Sequence, residues 1–352
     1  MFYTYPMYDV LTIGTVTVDT FIKADFLKTV TDKKHLEKIG FVTGQAQCFS
    51  LGSKIEISEP IIEIGGGAHN AAVTFSKADL DTISIFNVGG DRNGDMIVEE
   101  FIHKGIKPIG ITDKNKKTGV SYILLSNSGE RTILVNRGCS GEIKNSEIPF
   151  KKLAAKWAYI APGSIPYPVL KKIFSYLHKN GTKIAINPSK DMLQLGISKL
   201  KPFLNTASVV ILNREEAAYL TRIPYDQSDK IFSKLDDYVP GIVVMTDGKK
   251  GAELSDGKTF YKSGVFSEKK IVDRTGAGDA FGSGFIAGVI EADEQCIKGV
   301  CSPHKIAYAI RRAAANSTSV IESVGATPGV ISRHEFLKSR RWKTLPIEIR
   351  KI

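Results

Sequence analysis

Short apolar runs recur along the chain, each bounded by Gly, Pro or Asn. They read "DVLTIGT" (9–15), "TISIFNV" (82–88), "WAYIAP" (157–162), "TKIAINP" (182–188), "SVVILN" (208–213) and "GIVVMT" (241–246). Continuous apolar runs of this length suit strands buried on both faces. Between most of them lie helical patterns: "NAAVTFSKA" (70–78), "MIVEEFIHKG" (96–105) and "PVLKKIFSYLHKNG" (168–181). Strand–helix alternation predicts a doubly wound, mostly parallel α/β sheet, in which ligands sit beyond the carboxyl ends of the strands.

Two segments leave this rhythm. Residues 41–64 read as extended strands with a Gly-Ser interruption, and residues 119–137 alternate on both sides of a polar "NSGE" turn, as a hairpin does. Strands from these two places are expected to pair as a small sheet outside the main one, acting as a lid. Such a sheet has a face that wants cover, so a homodimer through it is also expected. Residues 25–40 read as a charged insertion.

The 352 residues exceed an ordinary domain, and 42% apolar content supplies a sizeable core for one large α/β unit. A net charge of +11 raises the question of nucleic acid. The basic residues are dispersed, however, and the densest clusters, "DKNKK" (113–117) and "SRRWK" (339–343), are short. A lysine-rich solvated surface that favours anionic small molecules is the better reading, with no nucleic-acid partner. The four cysteines, Cys48, Cys139, Cys296 and Cys301, form no CxxC pair or zinc spacing and suggest a reducing compartment. No run approaches the roughly 18 apolar residues of a membrane helix, and the first apolar stretch lacks a basic flank. A soluble cytoplasmic protein with no membrane partner is expected.

The chemistry concentrates in glycine-rich stretches. "DRTGAGDAFGSGF" (273–285) opens an apolar helix near Asp279. It is not a dinucleotide fingerprint, because Phe281 stands at the last glycine position. The nearest approach to a Walker motif, "AELSDGKT" (252–259), lacks its first glycine and reads as a hairpin turn at Asp256-Gly257. Glycine lets backbone N–H groups approach a ligand, and at a helix N-terminus those groups form an anion site suited to a phosphoryl group in transfer. An aspartate there can take a proton from an attacking hydroxyl, and the helix N–H groups favour its ionised form. Taken alone, Asp279 is equally well a helix cap. A second cluster, "GGGAHNAAVTFSKA" (65–78), also opens a helix after a strand, and His69 within it either touches substrate or packs. In "LNREEAAYL" (212–220), Asn213 and Glu216 lie three apart on one helix face and suit a largely hydrated magnesium ion. "MTDGKKGA" (245–252) is a strand end running into a glycine turn, either a plain hairpin or a nucleotide contact.

In this order, these stretches resemble the ribokinase-like (PfkB) family of carbohydrate and nucleoside kinases. The resemblance runs from "TIGTVTVDTF" near the start to "VGATPG" (324–329), and includes "INPSK" (186–190) ahead of "LNREEA". It implies a kinase domain over residues 1–335 followed by a tail at 336–352, a three-layer α/β/α core with a β-sheet lid, MgATP as donor and a hydroxymethyl group as acceptor. Asp279 then matches the catalytic base, and the backbone of Gly276, Ala277 and Gly278 matches the anion hole. Asp19, Gly66, Gly67 and Asn70 match positions that hold the acceptor's hydroxyls. Asn213 and Glu216 match the motif governing phosphate and magnesium, the metal being reached through water. Thr246, Gly248 and Gly251 match the ATP-side loop. Asp273 matches a position that in some members helps bind a monovalent cation such as potassium. Arg274, where a small residue is common, and Gly329, where a hydroxyl is common, depart from those cation-dependent members. A small sugar is the expected acceptor, with a nucleoside as the alternative. A non-catalytic sugar or nucleotide sensor on the same fold is the alternative of another class. The intact Asp279 and anion nest count against it, since a sensor needs no base.

Overall fold

The computed structural model describes residues 7–23, 28–41, 44–125, 131–292 and 303–352. Cys296, Cys301, the "NSGE" turn and part of the 25–40 insertion lie outside these described residues. Along the chain, β1 (Tyr8–Gly14) and β2 (Thr17–Lys23) come first, then β3 (Lys28–Thr31), α1 (Lys33–Leu36), β4 (Gln45–Cys48) and β5 (Ile61–Gly65). Next are α2 (Gly67–Lys77), β6 (Thr82–Gly89), α3 (Arg92–His103), β7 (Lys107–Asp113), β8 (Val120–Leu125) and β9 (Arg131–Asn136). The central part holds β10 (Ala155–Ala161), α4 (Tyr167–Lys179), β11 (Lys183–Ile186), α5 (Lys190–Leu193), α6 (Ile197–Leu204), β12 (Val209–Asn213) and α7 (Arg214–Thr221). It continues with α8 (Ser228–Asp236), β13 (Ile242–Thr246), β14 (Ala252–Ser255) and β15 (Thr259–Ser263). The last elements are α9 (Ala277–Ala292), α10 (Pro303–Val320), α11 (Arg333–Lys338) and β16 (Ile347–Lys351).

The main sheet has the order β16-β15-β14-β13-β12-β11-β10-β1-β6-β7. From β7 to β13 it is parallel, and β14, β15 and β16 extend it as an antiparallel edge. Each predicted strand of the sequence falls on a strand of this sheet, because its continuous apolar run is what a strand covered on both faces requires; all of β6 is buried. One face packs Leu11, Ile13 and Ile184 against Leu170, Ile173, Phe203 and Ile231 of the helices from α4 to α8. The other packs Val10, Tyr159 and Val244 against Phe75 of α2, Phe285 of α9 and Ile310 of α10. The result is a three-layer α/β/α core. Strand order reverses beside β1, between β10 and β6, and that switch point is where an open α/β sheet leaves a crevice for ligands.

A second sheet has the order β5-β2-β8-β9. Residues from both segments expected to lie outside the main sheet are in it, but they do not pair with each other. β2 lies between them, antiparallel to β5 and parallel to β8. Its apolar positions Val18 and Phe21 are buried, so the chain breaks at Thr15–Val16 and changes sheets rather than prolonging β1. Residues 45–48 pair instead with β3 in a separate two-stranded sheet, and residues 49–60 form no strand. The expectation that the whole of 41–64 is part of one small sheet is therefore corrected. The stretch from residue 336, expected as a tail, also differs. Trp342 and Leu345 are buried in the core, the Trp342 ring meets Phe266 edge-on at 5.1 Å, and β16 extends the main sheet. Among the described residues no helix is long and apolar enough to cross a membrane.

Candidate active site

The turn before α9 is shaped by glycine and braced by a buried acid. Gly276 has φ +75°, and a Cβ there would sit 2.4 Å from the Ala326 side chain. Asp273 is fully buried; its Oδ1 accepts from the Thr275 N–H (2.9 Å) and hydroxyl (2.7 Å), and its Oδ2 from the Gly325 N–H (3.0 Å). These bonds hold the 273–276 turn against residue 325. The helix begins at Ala277, not at Asp279. Beside Gly278 a Cβ would meet nothing within 4 Å, and its N–H belongs to the first helical turn, where N–H groups have no partner within the helix. The later glycines of this stretch do different work. Cβ atoms at Gly284 and Gly288 would come within 3.1 and 2.7 Å of α10 backbone at Ala313 and Ala309, so they permit close helix packing.

Asp279 lies in the first turn of α9, half-buried, and its Oδ2 accepts from Asn70 Nδ2 at 2.8 Å. This bond joins two helices 209 residues apart in the chain. It ties the carboxylate to α2. Burial pushes the carboxyl pKa up, and the Asn70 amide opposes that shift. Of these two influences, desolvation is the larger. A buried ring of bonds sets the Asn70–Asp279 pair. Asn316 of α10 donates to Ala280 O (2.9 Å) and to the Thr74 hydroxyl (3.3 Å), Thr74 donates to Asn70 O (3.3 Å), and Asn316 Oδ1 accepts from Ile331 N (3.2 Å). Thr74 and Asn316 carried no signal in the sequence, where a polar residue in a helix reads as a solvated face.

On the side of α2, Gly66 and Gly67 allow contacts no other residue fits. Gly66 has φ +93°, and its Cβ would meet Thr15 O at 2.4 Å; that of Gly67 would meet the Ala161 side chain at 2.6 Å. Asp19 of β2 is buried and accepts from the Thr17 hydroxyl at 2.8 Å. Burial raises its pKa, and the charge of Asp273 adds a little to the shift. His69 packs rather than lines the site: it is fully buried, edge-on to Phe101 at 5.2 Å, with its pKa pushed down to about 4 by burial.

Thr246, Gly248 and Gly251 form one wall of a cleft whose floor is Ala277 and Gly278. Val265, Phe281 and Ala314 give it an apolar side, a second feature the sequence reading missed, because these residues look like ordinary core positions. The cleft thus joins the two glycine-rich stretches at 245–252 and 273–285. Asn213 stands next to it, paired in register with Thr246 across β12 and β13. The Asn213/Glu216 spacing is a reciprocal cap: Asn213 Oδ1 accepts from Glu216 N (2.8 Å) and Glu216 Oε2 accepts from Asn213 N (2.9 Å). Burial raises the Glu216 pKa, and the charges of Glu215 and Asp279 add to the shift.

The family model of pfkB family carbohydrate kinases matches residues 33–333. The chain belongs to the pfkB family of carbohydrate kinases. It is accordingly a phosphotransferase with an alcohol group as acceptor, in a family that uses ATP. A bifunctional ribokinase/ribose-5-phosphate isomerase A from Fructilactobacillus sanfranciscensis is 26% identical over 283 residues, 78% of this chain and 51% of that protein. The chain thus spans about half the length of that relative. The structure of a Giardia lamblia ribokinase superposes with a TM-score of 0.74 at 19% identity, covering 94% of this chain and 98% of that one. An adenosine kinase from Sinorhizobium meliloti gives 0.71 at 18% identity, covering 92% and 96%. The fold of this pfkB-family chain is therefore that of ribokinases and adenosine kinases alike.

Proposed function

We propose that this kinase transfers the γ-phosphoryl group of ATP to a hydroxymethyl group of a small sugar. The observation that carries the reading is the Asn70–Asp279 bond, which brings the glycine turn at 65–70 to the turn that floors the 246–251 cleft. Asp279 accepts the acceptor's hydroxyl proton as its oxygen attacks the phosphoryl group, and ADP leaves from the cleft. The backbone at Gly276, Ala277 and Gly278 stabilises the charge that develops on the transferred group. Asp19 and Asn70, with the backbone at Gly66 and Gly67, hold the sugar's other hydroxyls. Thr246, Gly248, Gly251 and Asn213 hold the nucleotide.

Magnesium, bound with ATP, neutralises phosphate charge. The described residues contain no group of three or more acidic or other ligating side chains that could cage a metal. One carboxylate near the cleft, Glu216, fits a largely hydrated ion reached through water, and an all-protein cage does not fit. Asp273 braces the turn through both its oxygens, and Oδ2, which accepts from the Gly325 N–H, keeps a lone pair with which to meet a monovalent cation such as potassium. The β5-β2-β8-β9 sheet, which carries Asp19, closes over the acceptor as a lid.

The test is magnesium-dependent ATP consumption across pentoses, hexoses, their monophosphates and nucleosides. A free sugar should be the best acceptor. A nucleoside as best acceptor would replace the sugar reading, and ATP binding with no acceptor turned over would favour the sensor.

A further inference from the structure

Arg214, the first residue of α7, lies between Asn213 and Glu216, and its side chain crosses to the neighbouring loop. Its Nε is 3.1 Å from Asp247 Oδ2, too misaligned for a hydrogen bond, so this contact is an ion pair. Its Nη2 donates to Glu253 Oε2 at the start of β14. Its guanidinium lies over the Tyr225 ring, 5.4 Å from the centroid, and the Tyr225 hydroxyl donates to the other Asp247 oxygen. Asp247 sits inside the loop: its N–H donates to Gly251 O at 2.8 Å, closing the turn that holds Gly248 (φ +51°) and Gly251 (φ +92°). Glu253 is held in turn by the Ser228 hydroxyl and by Lys262 at 3.2 Å. The side chains of Arg214 and Asp247 are each only 12% exposed, and that of Glu253 is 10% exposed, so these charges are shielded from salt in a way surface pairs are not.

We propose that Arg214 is a positioning residue that fixes the 246–251 loop against the Asn213–Glu216 turn. Two separate segments on the nucleotide side are thereby set in one geometry before ATP arrives. The proposal rests on the assignment of those two segments to nucleotide and magnesium. Strand pairing of Asn213 with Thr246 sets the base of the loop. Beyond it come two glycines at positive φ, which leave the backbone free to wander, and the Asp247 side chain is where that freedom is removed. A guanidinium is suited to this because its planar fork reaches Asp247 and Glu253 at once; a lysine ammonium is a single point and serves one of them. Preorganisation of this kind acts on ATP affinity, since a loop left loose must be ordered by the nucleotide itself.

The experiment is steady-state kinetics of the full chain on its best acceptor, with ATP varied, for the parent, Arg214→Lys, Asp247→Asn and the double variant. The KM for ATP should rise about 5- to 50-fold in each single variant. kcat and the KM for the acceptor should stay within about threefold, since Asp279 and the acceptor side are untouched. The double variant should be no worse than the worse single, because both remove one interaction. A KM for ATP within about twofold of the parent in folded Arg214→Lys overturns the proposal, as do single effects that multiply in the double variant. If Asp247→Asn fails to fold, Arg214→Lys decides alone, since it keeps the charge. A parent without ATP-dependent turnover would sink the nucleotide assignment itself; an active parent with unmoved variants sinks only the role of Arg214.

Discussion

At Asp279 two opposing influences meet, burial that raises the carboxyl pKa and the Asn70 amide that lowers it. A base works deprotonated. A raised pKa therefore places the acid limb of kcat/KM above the ordinary aspartate value of about 3.9, with activity lost as pH falls through it. Asn70→Ala removes the donor that favours the charged form, so its limb should move to higher pH than the parent's. The position of the limb, not the height of the profile, is the readout, because Asn70 is also placed on the acceptor. A limb at the parent's pH or below would show that the amide does not stabilise the carboxylate. The acid itself was legible in the sequence, since an aspartate behind "TGAG" at a helix start is a distinctive arrangement. Its partner was not, because nothing local links residues 209 apart. His69 shows the opposite failure: its place in a glycine cluster suggested substrate, and only the packing on Phe101 reveals a core residue.

At the scale of elements, the two glycines of the α9 turn should separate stability from chemistry. Gly276→Ala forces a side chain into left-handed backbone and against Ala326, and should cost about 1–2 kcal/mol from the backbone alone, with more from the clash. Gly278→Val has open space for its side chain, so it should fold with near-parent stability yet lose most turnover by crowding the anion nest. Thermal melts and rates on the same samples decide it; a fully active Gly278→Val would remove that backbone from the mechanism. The α7 turn offers a similar separation. Glutamine serves the reciprocal cap as well as glutamate does, so Glu216→Gln should leave the melt unchanged while raising the magnesium concentration needed for half-maximal rate. An unchanged magnesium titration would leave Glu216 as a cap alone. The sequence showed the Asn213/Glu216 spacing but read it only as a shared helix face, because the same three-residue separation serves both arrangements.

For the whole molecule, the parallel core was legible because strands buried on both faces write continuous apolar runs. The second sheet was only half legible: β5, β8 and β9 were within the segments expected, while "TVDTFIK" was hidden by its closeness to β1. The last strand escaped notice because "IEIRK" is a short edge segment, exposed along most of its length, with no apolar run to mark it. The register of the second sheet puts Ile62, Tyr122 and Leu134 on one face, 55%, 49% and 58% exposed. A face this apolar should be covered by a second copy of the chain, giving a dimer in sedimentation velocity that Leu134→Asp converts to monomer. A monomeric parent would contradict the dimer and leave the lid untouched.

The proposed mechanism turns on one contact, that of the Asp279 carboxylate with the acceptor hydroxyl it deprotonates. Asp279→Asn keeps the size of the side chain, an oxygen for Asn70 to donate to and a good residue for a helix start, and removes only the basicity. The decisive measurement is turnover of this variant on the best acceptor, with ATP affinity and melting temperature measured alongside. Turnover should fall by ~10²–10⁴, while ATP affinity stays within a few-fold of the parent and the melt is little changed. Near-parent turnover in Asp279→Asn would mean that Asp279 is not the base, and the mechanism proposed for this kinase would be wrong.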